Sequence, residues 1–418
     1  MQRGFTNRVV LVHIDFSNYK ISNEDIGEFH ELVKATDIEI VSLITFRSEA
    51  PRPRYFIGSG KAEEIRILVE VEKANLVIFN CILTPSQERN LERLFQCRVM
   101  DRIGLILDIF AQRARSFEGR LQVELAQLQY LSTRLIRGWS HLERQKGGIG
   151  LRGPGETQLE LDRRSITNRI KVIKKRLQKV RLGRQQARRA RQHSEIPIVS
   201  LVGYTNVGKS TLFNKLTAAD VHIADQLFAT LDPVLRRIEL SEVGPIILVD
   251  TVGFIRHLPT GLIEAFQATL EETMAGDLLL HVVDASDPLR REKIAAVNNV
   301  LQQINAQKIP QLLVYNKIDL TKDNISRINY DNFNSNPKSV KISAVTGEGL
   351  DLLLGALKIL LFGEIKEYKF TLKPSDGKLR AALYRLGTVL SEKISRDGNW
   401  QLIVRLKKQD FERLFANF

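Results

Sequence analysis

The string Gly203-Tyr204-Thr205-Asn206-Val207-Gly208-Lys209-Ser210-Thr211 has the spacing of a phosphate-binding loop, and it follows the apolar run IVSLVG and precedes a helical pattern. Its glycines let backbone N–H groups wrap a phosphate chain, and a helix opening at Lys209 adds the partial positive charge of its N-terminus. Lys209 is then expected to reach the β- and γ-phosphates as a catalytic group. Ser210 offers a hydroxyl to Mg²⁺, the cofactor this chemistry needs.

A phosphate loop alone does not choose between ATP and GTP. Asn316-Lys317-Ile318-Asp319 ends a hydrophobic strand pattern, and an aspartate there can accept two hydrogen bonds from guanine N1–H and its 2-amino group, a pattern adenine lacks. Ser343-Ala344-Val345 follows another strand pattern and is expected to close over the guanine O6. Asp250-Thr251-Val252-Gly253 ends the run IILVD, where Asp250 can hold the Mg²⁺ shell while the Gly253 N–H meets the γ-phosphate. Thr230, within Phe228-Ala229-Thr230-Leu231-Asp232, is expected to be the second catalytic residue and to complete the Mg²⁺ shell only when γ-phosphate is present. A solvated loop threonine is the alternative there, and Thr205 and Thr217 are weaker candidates. Phe254 stands where Ras-like enzymes carry the glutamine that orients water, so hydrolysis is expected to be slow until a partner supplies or orders a group.

These motifs need strands that end at one edge. From 197 to 362, strand and helix patterns alternate as in a doubly wound α/β domain, the Ras-like P-loop architecture. Residues 1–110 read as a smaller α/β domain with a largely parallel sheet, with strands starting near Val9, Ile38 and Asn75 and helices over Asn23 to Ala35 and Lys61 to Lys73. Over 111–196 the apolar period changes to roughly seven. Leu121, Leu125, Leu128 and Leu135 share one helical face, and Ile166, Ile170, Ile173, Leu177 and Val180 form a coiled-coil seam, so a helical hairpin is expected. Its tip, 147–158, holds five glycines and Pro154 and is expected to be non-helical, with Thr157 and Glu160 capping the second helix. Residues 363–418 suggest a small α+β domain, with one amphipathic stretch over Asp376 to Glu392. The fold class is therefore multidomain α/β.

DRIGLILDIFAQRARSFEGRLQVELAQLQYL from Asp101, GGIGLRGPGETQLELDRR from Gly147, GYTNVGKST, FATLD and DTVGFIRHLP from Asp250 together resemble the HflX family of ribosome-associated GTPases, within the Obg-HflX superfamily of the TRAFAC class. That resemblance implies an N-terminal α/β domain, a helical hairpin, a Ras-like GTPase domain and binding to the large ribosomal subunit, with splitting or rescue of stalled ribosomes under stress. It also implies that Phe254 is no mark of a dead enzyme, and that the hairpin tip reaches toward the peptidyl-transferase region.

Charge points the same way. The chain carries 62 Lys/Arg against 48 Asp/Glu, yet residues 1–110 (14 against 16) and 197–362 (15 against 18) are slightly acidic. Residues 111–196 hold 21 against 7, and 363–418 hold 12 against 7. Between Asp162 and Arg191 there are thirteen basic residues and one acid. Such a block suits RNA phosphates, with Arg152, Arg163, Arg164, Lys171, Lys174, Lys175 and Arg176 as rRNA-contact candidates; an uninvolved basic helix is the alternative. No apolar run has the length of a membrane span, and no signal-peptide layout opens the chain, so a cytoplasmic protein, monomeric on the ribosome, is expected. Cys81 and Cys97 read as reduced core thiols.

Three functions remain distinguishable: a GTP-timed ribosome-splitting factor, a GTP-regulated assembly or anti-association factor, and an ATP-dependent RNA remodeller working through the N-terminal domain. The last leans on Ile57-Gly58-Ser59-Gly60-Lys61, which lacks the phosphate-loop spacing and reads as a tight turn opening a helix. His257 and His281 read as a loop residue and a core histidine.

Overall fold

The computed structural model describes residues 8–16, 23–36, 38–138, 154–192, 196–218, 227–228, 230–241, 243–255, 276–331, 336–363, 365–386, 388–395 and 397–407, with 411 and 414. It divides into two compact units. The first comprises Met1–Ser194, His222–Pro233 and Thr251–Glu271; the second comprises Glu195–Val221, Val234–Asp250 and Glu272–Phe418.

In the first unit, β1 (Arg8–Phe16), β2 (Glu39–Ser48), β3 (Leu76–Phe79) and β4 (Arg98–Asp101) form a sheet in the order β2-β1-β3-β4. All its pairings are parallel. Helices α1 (Asn23–Lys34), α2 (Ser59–Val71), α3 (Pro85–Phe95) and α4 (Arg102–Arg113) connect or follow the strands. β3 is buried along its whole length, as expected of a strand covered on both faces. Gly58, extended, precedes α2, so the segment around it is a helix-opening turn. Thr84 and Gln87 make a capping box at α3, which satisfies two of the amide groups that a helix start leaves open.

Two longer helices follow, α5 (Phe117–Gly138) and α6 (Pro154–Gln192). Leu121, Leu125 and Ile173 are buried together, with Leu128, Ile170 and Leu177 against them, so the heptad seam is where α5 and α6 meet. α6 begins at Pro154, inside the stretch expected to be non-helical. Proline suits a first helical position because its fixed φ is already helical and its missing N–H is one that no intrahelical acceptor would serve. The expected cap at Thr157 is therefore incorrect, since Thr157 lies within the helix. The rest of the tip, with Leu135's side chain, lies outside the described residues.

A buried polar knot joins α5 to the sheet. Asp101 is fully buried and accepts from Tyr130 Oη at 2.6 Å, from Arg134 at 2.8 Å and from the Gly104 N–H at 2.8 Å. Arg134 also donates to Glu88 at 2.7 Å and lies 3.5 Å over the Tyr130 ring. One carboxylate thus caps α4 and anchors α5. Cys81 and Cys97 are free thiols; burial pushes both pKa values up, that of Cys97 to about 11, and makes them poor nucleophiles.

In the second unit, β5 (Ile198–Gly203) is followed by α7 (Lys209–Thr217), β6 (Val234–Leu240), β7 (Gly244–Asp250), β8 (Leu278–Asp284), α8 (Arg290–Gln303), β9 (Gln311–Asn316), β10 (Arg327–Tyr330), β11 (Pro337–Lys341) and α9 (Leu350–Phe362). The strand order is β10-β11-β9-β8-β5-β7-β6. Its centre is parallel, and both edge pairs are antiparallel. β12 (Ile365–Leu372), α10 (Gly377–Leu386), β13 (Thr388–Ile394) and β14 (Trp400–Lys407) complete the chain with an antiparallel sheet in the order β12-β14-β13. The single amphipathic stretch expected over Asp376 to Glu392 is instead a helix followed by a strand: the β-branched pair Thr388-Val389 favours extended backbone and starts β13.

Candidate functional site: a phosphate loop clamped to a base-reading turn

β5 is buried throughout and delivers Gly203 at its end. Gly203 has φ 149°, and a Cβ there would lie 2.3 Å from the Val282 carbonyl oxygen, so no other residue fits. Gly208 has φ 88°, and its Cβ would lie 2.4 Å from the Asn316 amide nitrogen. The two glycines of the spacing rule thus answer to two different neighbours, one on β8 and one at the end of β9.

Lys209 opens α7 and is buried. Its ammonium donates to the carbonyls of Gly203 at 3.2 Å and Tyr204 at 2.6 Å. Burial brings its pKa down to about 8, with the Asp250 carboxylate working in the other direction. Ser210 Oγ donates to Asp250 Oδ2 at 2.8 Å. A hydroxyl and a carboxylate side by side are the hard oxygen donors that suit Mg²⁺, so the residues present fit that ion.

Asn316 closes the loop from the far side. Its amide nitrogen donates to the Val207 carbonyl at 2.8 Å, and its amide oxygen accepts from the Ala344 N–H at 2.9 Å. Lys317, at φ 63°, donates to the Asn206 carbonyl at 2.8 Å and pairs with Asp284 at 2.9 Å. Burial opposes the Asp284 charge, yet hydrogen bonds from Ser286 and Lys317 hold its carboxyl below the usual range. Asp284 was missed at the sequence level; the signal available was an acid ending the strand LLLHVVD. Ile318 is buried, while Asp319 is exposed on a short 3₁₀ turn. Ser343 and Ala344 are buried and Val345 is 66% exposed. The Ser343 N–H donates to the Glu348 carbonyl, and Ser343 Oγ accepts from the Thr346 N–H, so this turn is held by its own hydrogen bonds beneath an exposed Val345. His281 is a core residue: burial takes its pKa down to about 4, against a hydrogen bond to the Gln311 side chain that favours the protonated ring.

The remaining expected positions belong to the first unit. Thr251, Val252, Gly253 and Phe254 are buried there, Phe254 to 4% exposure. Phe228 is also buried, and its ring meets that of Phe110 edge-on at 4.7 Å. Asp232 accepts from the backbone N–H groups of Arg115 and Ser116. Leu231 is buried and Thr230 half-buried. Ala229, His257 and Arg152 lie outside the described residues. On α6, Arg163, Arg164, Lys171, Lys174, Lys175 and Arg176 are all exposed.

Four family models match in succession: GTP-binding GTPase N-terminal over 23–111, GTP-binding GTPase Middle Region over 113–191, 50S ribosome-binding GTPase over 198–317 and HflX C-terminal domain over 330–416. GTPase HflX of Escherichia coli (strain K12) is 55% identical over 407 residues, covering 97% of this chain and 95% of that one. GTPase HflX of Caldanaerobacter subterraneus subsp. tengcongensis is 45% identical over 375 residues, covering 90% and 86%. A crystal structure of a GTP-binding protein from Sulfolobus solfataricus in complex with GDP is 25% identical, covers 84% of this chain and 98% of its own, and superposes with a TM-score of 0.45. With its four consecutive domains matched and a relative at 55% identity along nearly its full length, the chain belongs to the HflX family of GTPases.

Proposed function

We propose that this HflX-family GTPase grips the large ribosomal subunit through the basic face of α6 in its GTP form, separates the subunits of stalled or idle ribosomes, and lets go after hydrolysis. The observation that carries this reading is the sign of the exposed charge on α6. From 161 to 180, Arg163, Arg164, Lys171, Lys174, Lys175, Arg176 and Lys179 are exposed, with Asp162 as the one exposed acid. Arg169 is paired with Glu124 of α5 at 2.6 Å. A solvated helix would intersperse both signs; this one offers a polyanion a row of cations on a helix whose apolar stripe is already used.

At the nucleotide, Lys209 neutralises the β- and γ-phosphates, the amides from Gly203 to Thr211 wrap the phosphate chain, Asp319 reads the guanine edge, and Ser343-Ala344-Val345 covers O6. Mg²⁺, when bound, shields phosphate charge and orients the γ-phosphoryl group; Ser210 and Thr230 would hold it, with Asp250 behind Ser210. Phe254 offers no group to orient water, so the unstimulated rate is low. A partner that supplies or orders one accelerates hydrolysis by roughly 10³ to 10⁵-fold.

Sedimentation of intact ribosomes with the protein and either GTP or a non-hydrolysable analogue tests the reading. Subunit separation with the analogue shows that binding splits and hydrolysis resets. Association with the large subunit but no separation under either condition favours the assembly or anti-association role instead.

A further inference from the structure

The loop carrying Thr230 is fastened at two points, to α4 and to the start of α5. On one side of Thr230, Phe228 adopts φ 57°, unusual for a residue with a side chain, and buries its ring against Phe110 of α4. On the other side, Asp232 Oδ2 accepts from the N–H groups of Arg115 at 3.0 Å and Ser116 at 2.7 Å, and Asp232 Oδ1 accepts from Ser116 Oγ. Ser116 Oγ in turn accepts from the Gly119 N–H at 2.8 Å. Carboxylate and hydroxyl together satisfy three amides at the start of α5, where a helix N-terminus also favours negative charge. The fit is close: a Cβ on Gly119 would stand 2.2 Å from Asp232 Oδ1. The cap thus needs an acid at 232 and a glycine at 119 together.

We infer that Phe228 and Asp232 are positioning residues that tie the Thr230 loop to α4 and to the start of α5 respectively, so that the nucleotide state is felt at the N-terminus of the hairpin. This rests on reading Thr230 as the residue that senses γ-phosphate. A loop anchored two residues before Thr230, at Phe228, and two residues after it, at Asp232, cannot bring Thr230 to a new position without loading or releasing the Asp232–Ser116 cap. α5 in turn packs through Leu121 and Leu125 on Ile173 of α6, the helix that carries the basic face. Coupling of this kind is reciprocal, so a partner that shifts α5 also shifts nucleotide affinity by the same factor.

Hydrogen exchange on the full chain, loaded with GDP or with a non-hydrolysable GTP analogue, tests this over residues 113–122. The unmodified chain is expected to differ about tenfold or more between the two nucleotides in this segment, within the range typical of coupled sites. The difference should vanish in Asp232→Ala. It should vanish as well in Gly119→Ala, which displaces the carboxylate while placing a good helix former in α5, so that a folding defect in one variant does not decide the outcome. Equal exchange in both nucleotide forms, or a difference that persists in both variants, overturns the inference. Thr230→Ala, assayed for GTP hydrolysis, separates the two readings. A slowed Thr230→Ala enzyme with no exchange difference removes only the coupling, whereas a Thr230→Ala enzyme at full rate removes the switch assignment and the coupling with it.

Discussion

Asn316 joins the phosphate loop and the Ser343–Val345 turn with one side chain, donating to Val207 and accepting from Ala344. It is 2% exposed, so truncation leaves a buried carbonyl and a buried N–H without that partner, at a cost of about 1–3 kcal/mol for each group. Asn316→Ala should lower GTP and GDP affinity alike, by about tenfold or more, because the clamp holds the loop rather than the γ-phosphate. Asn316→Asp keeps an acceptor for Ala344 but turns an oxygen toward the Val207 carbonyl, and should be no better. Titration with fluorescent GDP and a fluorescent GTP analogue checks both; unchanged affinity in Asn316→Ala would show that the clamp is dispensable.

Asp319 is exposed on its turn, so its carboxylate can be changed with little effect on folding. Asp319→Asn replaces an acceptor with a donor opposite the guanine 2-amino group. The variant should lose GTP affinity and gain affinity for xanthosine triphosphate, whose base carries an oxygen there. Competition between the two nucleotides measures the switch, and a variant that still prefers GTP argues that base recognition lies elsewhere.

Lys209 should make nucleotide binding pH-dependent. Its pKa of about 8 lies below the usual lysine value, so between about 8 and 10.4 the unfolded chain holds more protons and the nucleotide-free fold gains stability as pH rises. Phosphates favour the ammonium form, so nucleotide affinity should run the other way, declining by up to about tenfold per pH unit above about 8. His281 does not add to this, being neutral above about pH 4. Calorimetric titration with GDP at pH 9 in two buffers of different ionisation enthalpy should report uptake of close to one proton; zero uptake would place the titration outside Lys209.

What the sequence displays about this site is its local chemistry. The loop from Gly203 to Thr211, Asp250 and the turn from Asn316 to Asp319 are legible because phosphate and base recognition demand fixed residue types at fixed spacing. The heptad seam of α5 and α6 is legible because burial of Leu121, Leu125 and Ile173 imposes a period. The contacts that fasten these parts are not legible in the same way. Asp232 meets Ser116 across 116 positions and Arg134 meets Asp101 across 33, and nothing in either local pattern marks the partner. Short elements fail for another reason: β4 is four residues long, too few for a period-two alternation to stand out.

Arg134 should matter to stability more than its place on a half-exposed helix suggests. It compensates the buried Asp101 carboxylate and is itself 15% exposed at the side chain. Removing one partner of such a pair leaves an uncompensated charge and costs about 3–5 kcal/mol. Arg134→Met, which keeps the aliphatic stem over Tyr130, should still unfold at a lower denaturant concentration. Its partner variant Asp101→Asn should recover part of the loss in combination, since the fully buried position 101 then carries no charge and only the less buried Glu88 is left without its arginine. Denaturant titrations of the singles and the double measure the coupling; additive losses would show that the two residues act separately.

The proposed ribosome-binding face can be tested without disturbing the hairpin, because its cations and its seam occupy different sides of α6. Lys174, Lys175 and Arg176 are exposed, while Ile173 is fully buried between α5 and α6. Replacing the three cations with glutamine leaves the seam intact and, as surface changes on a helix, should alter stability by under about 0.5 kcal/mol each. If each cation meets an rRNA phosphate, binding to large subunits weakens and the slope of log affinity against log salt falls by about one for each contact removed. A seam variant such as Ile173→Ala serves as the contrast. It should lower thermal stability through the cavity it leaves, and the salt slope of its folded fraction should be unchanged. A triple variant whose salt slope matches that of the unmodified chain would exclude these three cations from the contact, and the remaining basic positions of α6 would then carry it.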